Sequence, residues 1–348
     1  MSGPTPTDLA RVLSYWPVGE LKASSQVLGG LIHETFRVET DQGAYCLQAL
    51  HPALSSPEIL ADWKAVLEHL ERRGFPAPRL VPAGDGRATV TVAGTVWRLT
   101  TWLDGQSVER TSGPETARQA ARLFARFYEA TADFPFPFKS SHPLHDWGYH
   151  AAALKEALAS SDRVPQPWPS QVAELAPLVL GGIRRNSLSG SLPLRVVHGD
   201  PKISNVLFDA QGRAWGLVDL DTCCRHTVLV DLGDALRSWS MDGPEDACTG
   251  FRRDVFLAAV EGWAAGGLRL TGGEIEELPK APALISFELA ARFLRDVLED
   301  RYFGYDASRY PSRRHQNLAR ARAMARLGQA FEEERDWIAS QAAIFGRS

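Results

Sequence analysis

The stretch Val196-Val197-His198-Gly199-Asp200-Pro201-Lys202-Ile203-Ser204-Asn205-Val206-Leu207-Phe208 is the most informative part of this chain. An apolar run delivers a His-Gly-Asp turn, a polar loop follows, and Asn205 opens a second apolar run. A turn at Asp209–Gly212 leads to a further apolar run, Trp215–Val218, which ends on Asp219-Leu220-Asp221. Apolar runs bounded by turn residues predict short strands, the last two joined as a hairpin. Asp200 and Asn205 then stand at the two ends of one tight loop. Asp219 leaves the hairpin's partner strand, so the three side chains converge at one end of a small sheet.

Phosphoryl transfer asks for this set of groups. One carboxylate orients the attacking hydroxyl or accepts its proton, while an amide oxygen and one or more carboxylates hold Mg²⁺ against the phosphates. Mg²⁺ is a hard cation and takes oxygen ligands rather than thiols. Each residue alone has a plainer reading, because Asp and Asn are common turn formers. The composite of strand, His-x-Asp, Asn205 and an Asp-capped hairpin is far more specific. It predicts Asp200 as catalytic base and Asn205 and Asp219 as metal ligands. His198 joins Asp200 in the catalytic set, as a brace of the loop rather than a proton carrier. Asp221 reads as a second metal contact, a substrate contact or the cap of the following turn. Lys202 reads as a γ-phosphate contact or a solvated lysine. Asp231 and Asp234 read as helix caps, one of which could also brace the loop.

Around this block the texture changes once. Leu21–Leu28, Glu34–Thr40, Ala44–Leu50, Thr89–Val92 and Thr95–Thr101 read as strands of an antiparallel sheet, with a helix inserted from Ser56 to Arg73. A helix also starts at Thr7-Asp8-Leu9. Beyond Leu103–Gln106 the pattern is helical: Pro114–Ala130, His145–Ala159, Gln171–Arg184 and everything after Leu229, ending in one long helix from about Arg314 to Phe345. The expected fold class is therefore α+β. A small antiparallel-sheet lobe (1–103) binds nucleotide, and a larger, mainly helical lobe (104–348) carries catalysis and substrate binding.

Bulk properties restrict the function classes. The 348 residues are 44% hydrophobic and 23% charged, ordinary for a globular protein with two real cores. A formal net charge of −4 gives no reason to expect a nucleic-acid partner. No run approaches the ~18 apolar residues of a membrane span, and the N-terminus lacks a signal peptide's basic and apolar segments. Cys46, Cys223, Cys224 and Cys248 match no zinc spacing and read as free thiols in a cytoplasmic protein.

With those residues in view, the chain resembles the aminoglycoside phosphotransferase/choline kinase superfamily, whose members are small-molecule kinases with a bilobal protein-kinase-like fold. His198, Asp200 and Asn205 meet its His-x-Asp-x-x-x-x-Asn signature, and Asp219 matches its later metal-binding Asp. The resemblance implies ATP and Mg²⁺ as cofactors. A closer likeness is to the N-acetylhexosamine 1-kinase branch, through Gly29–Phe36, Tyr45–Gln48, Leu217–Arg237, Arg292–Leu294, Arg301–Phe303 and His315–Arg320. That likeness implies a glycine-rich loop at Gly29 and Gly30, though a hairpin turn explains the pair equally well. It implies adenine contacts from the backbone at Thr101 to Leu103. The third strand departs from the superfamily. Gln48, followed by Ala49, stands where a Lys or Arg usually grips the α- and β-phosphates, and Arg37 is the nearest alternative cation. Glu58 and Glu68 on the inserted helix lose their usual partner. His33 stands where the branch tends to have Asn.

The acceptor is expected beside Asp200, lined by His33, Asp221, Arg292, Arg301 and Tyr302. Arginines there would hydrogen-bond hydroxyls or an N-acetyl oxygen, although each also reads as a helix-surface residue. Trp147, Trp239 and Trp263 read as sugar platforms or as core. Arginines interspersed with Glu274, Glu276, Glu277, Glu299 and Asp300 suit a sugar better than a polycationic antibiotic. A sugar or N-acetylhexosamine phosphorylated on its anomeric hydroxyl is the first expectation. Another alcohol, such as an antibiotic, a choline-like compound or an amino-acid-derived one, is the second. A nucleotide-binding pseudokinase that regulates a partner is the third, favoured only by the missing third-strand cation.

Overall fold

The computed structural model describes residues 5–27, 33–140 and 144–346. Helix α1 (Pro6–Leu13) begins earlier than the sequence suggested. Thr5 and Asp8 form a reciprocal capping box, each side chain bonding the other's backbone N–H. Strands β1 (Leu21–Val27), β2 (Glu34–Thr40) and β3 (Gly43–Ala49) follow, then α2 (Pro57–Arg72), β4 (Thr89–Val92) and β5 (Thr95–Thr101). The strands form one antiparallel sheet in the order β1-β2-β3-β5-β4.

Alternation gives this sheet two different faces. Phe36, Val38, Leu47, Ala49, Trp97 and Leu99 pack with Leu9, Val12 and Leu13 of α1, and with Trp16 just after it, into a small core. Arg37, Cys46, Gln48, Arg98 and Thr100 belong to the opposite face by register. Helix α2 is capped by Ser56 and starts on Pro57. Its apolar stripe of Trp63, Val66, Leu67 and Leu70 joins the larger core of the second lobe instead of the sheet's own.

The second lobe contains α3 (Pro114–Ala130), α4 (Trp147–Ala159), α5 (Trp168–Asn186), β6 (Arg195–Val197), β7 (Val206–Phe208), β8 (Ala214–Leu217) and β9 (Cys224–His226). Helices α6 (Leu229–Ser240), α7 (Arg253–Ala265), α8 (Gly272–Glu277), α9 (Ala281–Glu299), α10 (Arg313–Glu333) and α11 (Arg335–Ala342) complete it. Helix α9 is central and packs against α4, α5, α6 and α10. The expected terminal helix is two helices, broken where Glu334 leaves helical geometry at φ −97, ψ 14. Strand β9, which pairs with β6, went unread because three residues offer no periodicity.

The connection after β5 is stitched to the catalytic hairpin. Gln106 and Phe208 exchange both backbone hydrogen bonds at 2.9 Å, and Ser107 Oγ donates to Ser204 O at 2.7 Å. Gly105 allows this approach, since a Cβ there would lie 3.0 Å from Leu207 Cβ. Leu217 N–H donates to Pro76 O at 3.1 Å, a second tie between the sheet lobe's chain and the hairpin. No helix among the described residues is long and apolar enough to cross a membrane.

Candidate active site

The turn His198-Gly199-Asp200 is held from three sides. Asp231, in the first turn of α6, accepts from His198 N–H at 2.7 Å, Gly199 N–H at 2.9 Å and Tyr128 Oη at 3.0 Å. Burial raises the pKa of Asp231, opposed by His198 and by those backbone donors. His198 is fully buried against Phe124 and Phe127. Its Nδ1 accepts from Asp200 N–H at 3.4 Å and its Nε2 donates to Val218 O at 3.1 Å, so both nitrogens are occupied. Gly199 has φ 81, and a Cβ there would fall 2.5 Å from Thr222 O, which explains the glycine between the two functional residues.

Asn205 and Asp219 are brought together by the β7–β8 pairing. Val218 N–H donates to Asn205 O at 3.0 Å. The Asn205 Nδ2 donates to Asp200 O at 2.8 Å, which leaves its Oδ1 available. Asp219, two residues past the end of β8, adopts left-handed backbone (φ 62, ψ 57). Its side chain is accessible and makes no hydrogen bond among the described residues. Surrounding protein displaces water from its vicinity, and the charges of Asp221 and Asp200 add to this, pushing its pKa up to about 6. An unpartnered carboxylate raised by neighbouring negative charge, beside a free amide oxygen, suits a hard divalent cation. Among the described residues no group of three or more His, Cys, Asp or Glu is spaced to hold a metal. The set is thus one carboxylate and one carboxamide, and Mg²⁺ typically fills its remaining positions with phosphates and water. Lys202 Nζ donates to Asp200 Oδ2 at 2.8 Å. Burial works against the charge of Lys202, but Asp200 outweighs it and raises the pKa.

Several expected positions fall elsewhere. Asp221 is engaged by a guanidinium: Arg98 Nη1 and Nη2 donate to its two oxygens at 2.5 and 2.7 Å, and both side chains are 2% exposed. Burial favours protonation of Asp221, but the charge and hydrogen bonds of Arg98, with His33 adding, hold its carboxyl well below the usual carboxylate range. Gln48 is likewise engaged, accepting from Arg98 Nε at 2.8 Å and donating to Thr35 Oγ1 at 3.1 Å. His33 is buried; its Nδ1 accepts from His51 N–H at 3.1 Å, and its Nε2 lies 3.7 Å from Asp221. It meets the ion pair of Arg98 and Asp221. Arg37 pairs with Glu39 and lies over Trp102 at 5.5 Å. Glu68 pairs on the surface with Lys64. Thr101 spends its N–H on Arg79 O at 2.9 Å, and Trp102 N–H bonds Ala44 O at 3.2 Å. The N–H and carbonyl of Leu103 have no backbone partner among the described residues. Gly29 and Gly30 lie outside the described residues.

On the acceptor side, Arg301 and Tyr302 are exposed, Arg301 pairing with Glu299 at 2.9 Å. Their backbone N–H groups are fastened to Asp296, so the side chains point away from the buried core. Arg292 is different. It is half-buried one turn after Glu288, lies over Phe303 at 5.7 Å, and makes no ion pair among the described residues. Its charge acts on His145, whose Nε2 bonds Gly199 O at 3.2 Å. Trp239 and Trp263 are core, stacked at 5.7 Å, and Trp147 packs on His226.

Sequence reasoning reached Asp231 as a helix cap or, with Asp234 as the alternative, a brace of the loop, and missed Arg98, His145 and Glu288. A signal for Arg98 existed: it alternates onto the polar face of β5 among apolar neighbours, where a charge needs a buried partner.

A five-stranded antiparallel sheet stitched to a helical body, with a braced Asp200 beside a metal-suited pair, defines a bilobal small-molecule phosphotransferase. A model of the phosphotransferase enzyme family (APH) matches residues 24–268, and the chain belongs to that family. It is an ATP-dependent enzyme acting on an alcohol group, with Mg²⁺ as the accompanying ion. The homoserine kinase of Methylobacterium radiotolerans is 28% identical over 294 residues, which cover 84% of this chain and 85% of that protein. The homoserine kinase of Chelativorans sp. is 28% identical over 299 residues, with the same coverage. Among solved structures, a microcompartment-associated aminopropanol kinase superposes with TM-score 0.65 at 17% identity, covering 94% of this chain and 98% of that one. Amicoumacin kinase, solved with AMP-PNP and Ca²⁺, gives TM-score 0.65 at 14% identity, covering 92% and 93%.

Proposed function

We propose that this enzyme transfers the γ-phosphate of Mg-ATP to a hydroxyl of a small neutral acceptor, an N-acetylhexosamine or related sugar, at the anomeric position. In this reading residues 1–103 hold the nucleotide and 104–348 hold the acceptor. Asp200 takes the hydroxyl proton, Asn205 and Asp219 bind Mg²⁺, Leu103 meets adenine, and Lys202 exchanges its contact with Asp200 for the γ-phosphate. The observation that carries the acceptor class is Arg292, a half-buried guanidinium near the catalytic turn with no ion pair among the described residues. Such a group suits a carbonyl or hydroxyl oxygen and repels a polycation. The regulatory reading rests on an absent third-strand cation, and the intact set of Asp200, Asn205 and Asp219 speaks against it.

Homoserine is the second reading, favoured by the homoserine kinases that match 84% of the chain. Its carboxylate would also suit Arg292. The test follows ADP release with Mg-ATP and N-acetylglucosamine, N-acetylgalactosamine, homoserine, 1-amino-2-propanol or kanamycin. The sugar reading expects the highest kcat/KM with an N-acetylhexosamine and an acid-labile 1-phosphate product. Preference for homoserine overturns the sugar but keeps the catalytic assignment. Preference for kanamycin overturns the argument from Arg292.

A further inference from the structure

One guanidinium joins five elements on the inner face of the sheet. Arg98 of β5 stands opposite Gln48 of β3 in the ladder. It donates through Nε to Gln48, grips Asp221 with Nη1 and Nη2, and lies over the ring of Trp63 in α2 at 4.3 Å. Gln48 extends the network to Thr35 of β2, and His33 approaches Asp221 from the start of the same strand. Asp221 belongs to the tight turn Leu220–Thr222, which directly follows Asp219.

We infer that Arg98 is a positioning residue for the metal: by fixing Asp221 it fixes the turn that aims Asp219. The need for an anchor is physical. Asp219 is a non-glycine residue in left-handed backbone, which costs energy unless its surroundings impose it. The nearby carboxylates of Asp221 and Asp200 also repel it. Only a planar fork supplies two parallel bonds to Asp221, a third to Gln48 and a face for Trp63, which lysine does not offer. Arg98 is buried, and three of its five N–H groups are committed. It therefore acts through Asp221 and does not grip the phosphates. The network also ties β2, just after the expected glycine-rich loop, to the metal turn.

This inference rests on the reading of Asp219 as a Mg²⁺ ligand, and the test separates the two. AMP-PNP binding is measured by calorimetry with Mg²⁺ and with EDTA for the wild type, Arg98→Lys, Arg98→Met, Asp221→Asn and the double variant Arg98→Met/Asp221→Asn. Thermal melts check folding, and Arg98→Lys and Asp221→Asn keep the test alive if Arg98→Met does not fold. Each single variant is expected to lose about 10–100-fold of the Mg²⁺-dependent affinity, as partners of metal ligands typically do, while affinity in EDTA stays nearly constant. The double variant is expected to be no weaker than the weaker single one, because the two residues act as a unit. Equal weakening with and without Mg²⁺ would make Arg98 a direct phosphate contact and overturn the inference. So would additive losses, or variants that bind as the wild type does. A wild type that gains nothing from Mg²⁺ would instead remove the metal reading of Asp219, and the inference with it.

Discussion

The catalytic turn and the inner face of the sheet both hold charged groups in place, but they gather them differently. At the turn, Asp200, Asn205 and Asp219 lie within twenty residues, and backbone hydrogen bonds set their geometry. On the sheet, Arg98 reaches Gln48 across 50 residues and Asp221 across 123, and side chains alone make the joint. The first arrangement tolerates surface change as long as its strands and braces survive. The second depends on each partner, because removing one half of a buried ion pair strands the other charge at a cost of about 3–5 kcal/mol.

The largest expected effect belongs to the turn. Asp200→Ala should lower kcat by about 10²–10⁴-fold, the usual contribution of a positioned acid or base. Calorimetry should find Mg-ATP affinity nearly unchanged, and a parallel loss of affinity would mean that Asp200 serves the nucleotide. Next comes the brace. Asp231→Ala leaves the buried N–H groups of His198 and Gly199 without an acceptor, each worth about 1–3 kcal/mol. Urea denaturation should show a loss of that order, together with reduced activity. A variant as stable as the wild type would deny that the brace matters.

The third prediction concerns pH. Burial alone would lower the pKa of His145, but Glu288, 3.6 Å away, raises it from 6.5 to about 9, with Asp234 helping and Arg292 opposing. The folded value lies above the unfolded one. The stabilisation is therefore complete below about pH 6.5 and lost as pH rises through about 9, by up to about 3 kcal/mol. His145→Gln should flatten the stability profile in that window; an unchanged profile would contradict the pairing. The smallest effect is expected at Arg301, which is exposed and paired only at the surface. Arg301→Ala should change stability by less than about 0.5 kcal/mol and leave kcat/KM for the acceptor intact. A large rise in KM would return Arg301 to the acceptor site.

This contrast also explains what could be read from sequence. The strands Glu34–Thr40 and Thr95–Thr101 and the helix Pro114–Ala130 follow from local periodicity and turn residues, and the structure has the same bounds. The catalytic turn is local too, so its spacing was visible. Arg98 was only half legible: its alternation within β5 signals a buried partner, but nothing in the sequence says that the partner lies 123 residues away. Asp221 stayed open between metal contact, substrate contact and turn cap for the same reason: only the fold reveals the guanidinium that occupies it. Arg301 and Tyr302 came from resemblance alone, and local backbone bonds to Asp296 turn both side chains to solvent.

The most direct test is a crystal structure with Mg²⁺ and AMP-PNP. The account predicts Mg²⁺ about 2.0–2.1 Å from Asn205 Oδ1 and an Asp219 oxygen. It predicts Asp200 open toward the acceptor, with Asp221 still held by Arg98. A metal bound through Asp221, with Arg98 released onto the phosphates, would contradict it.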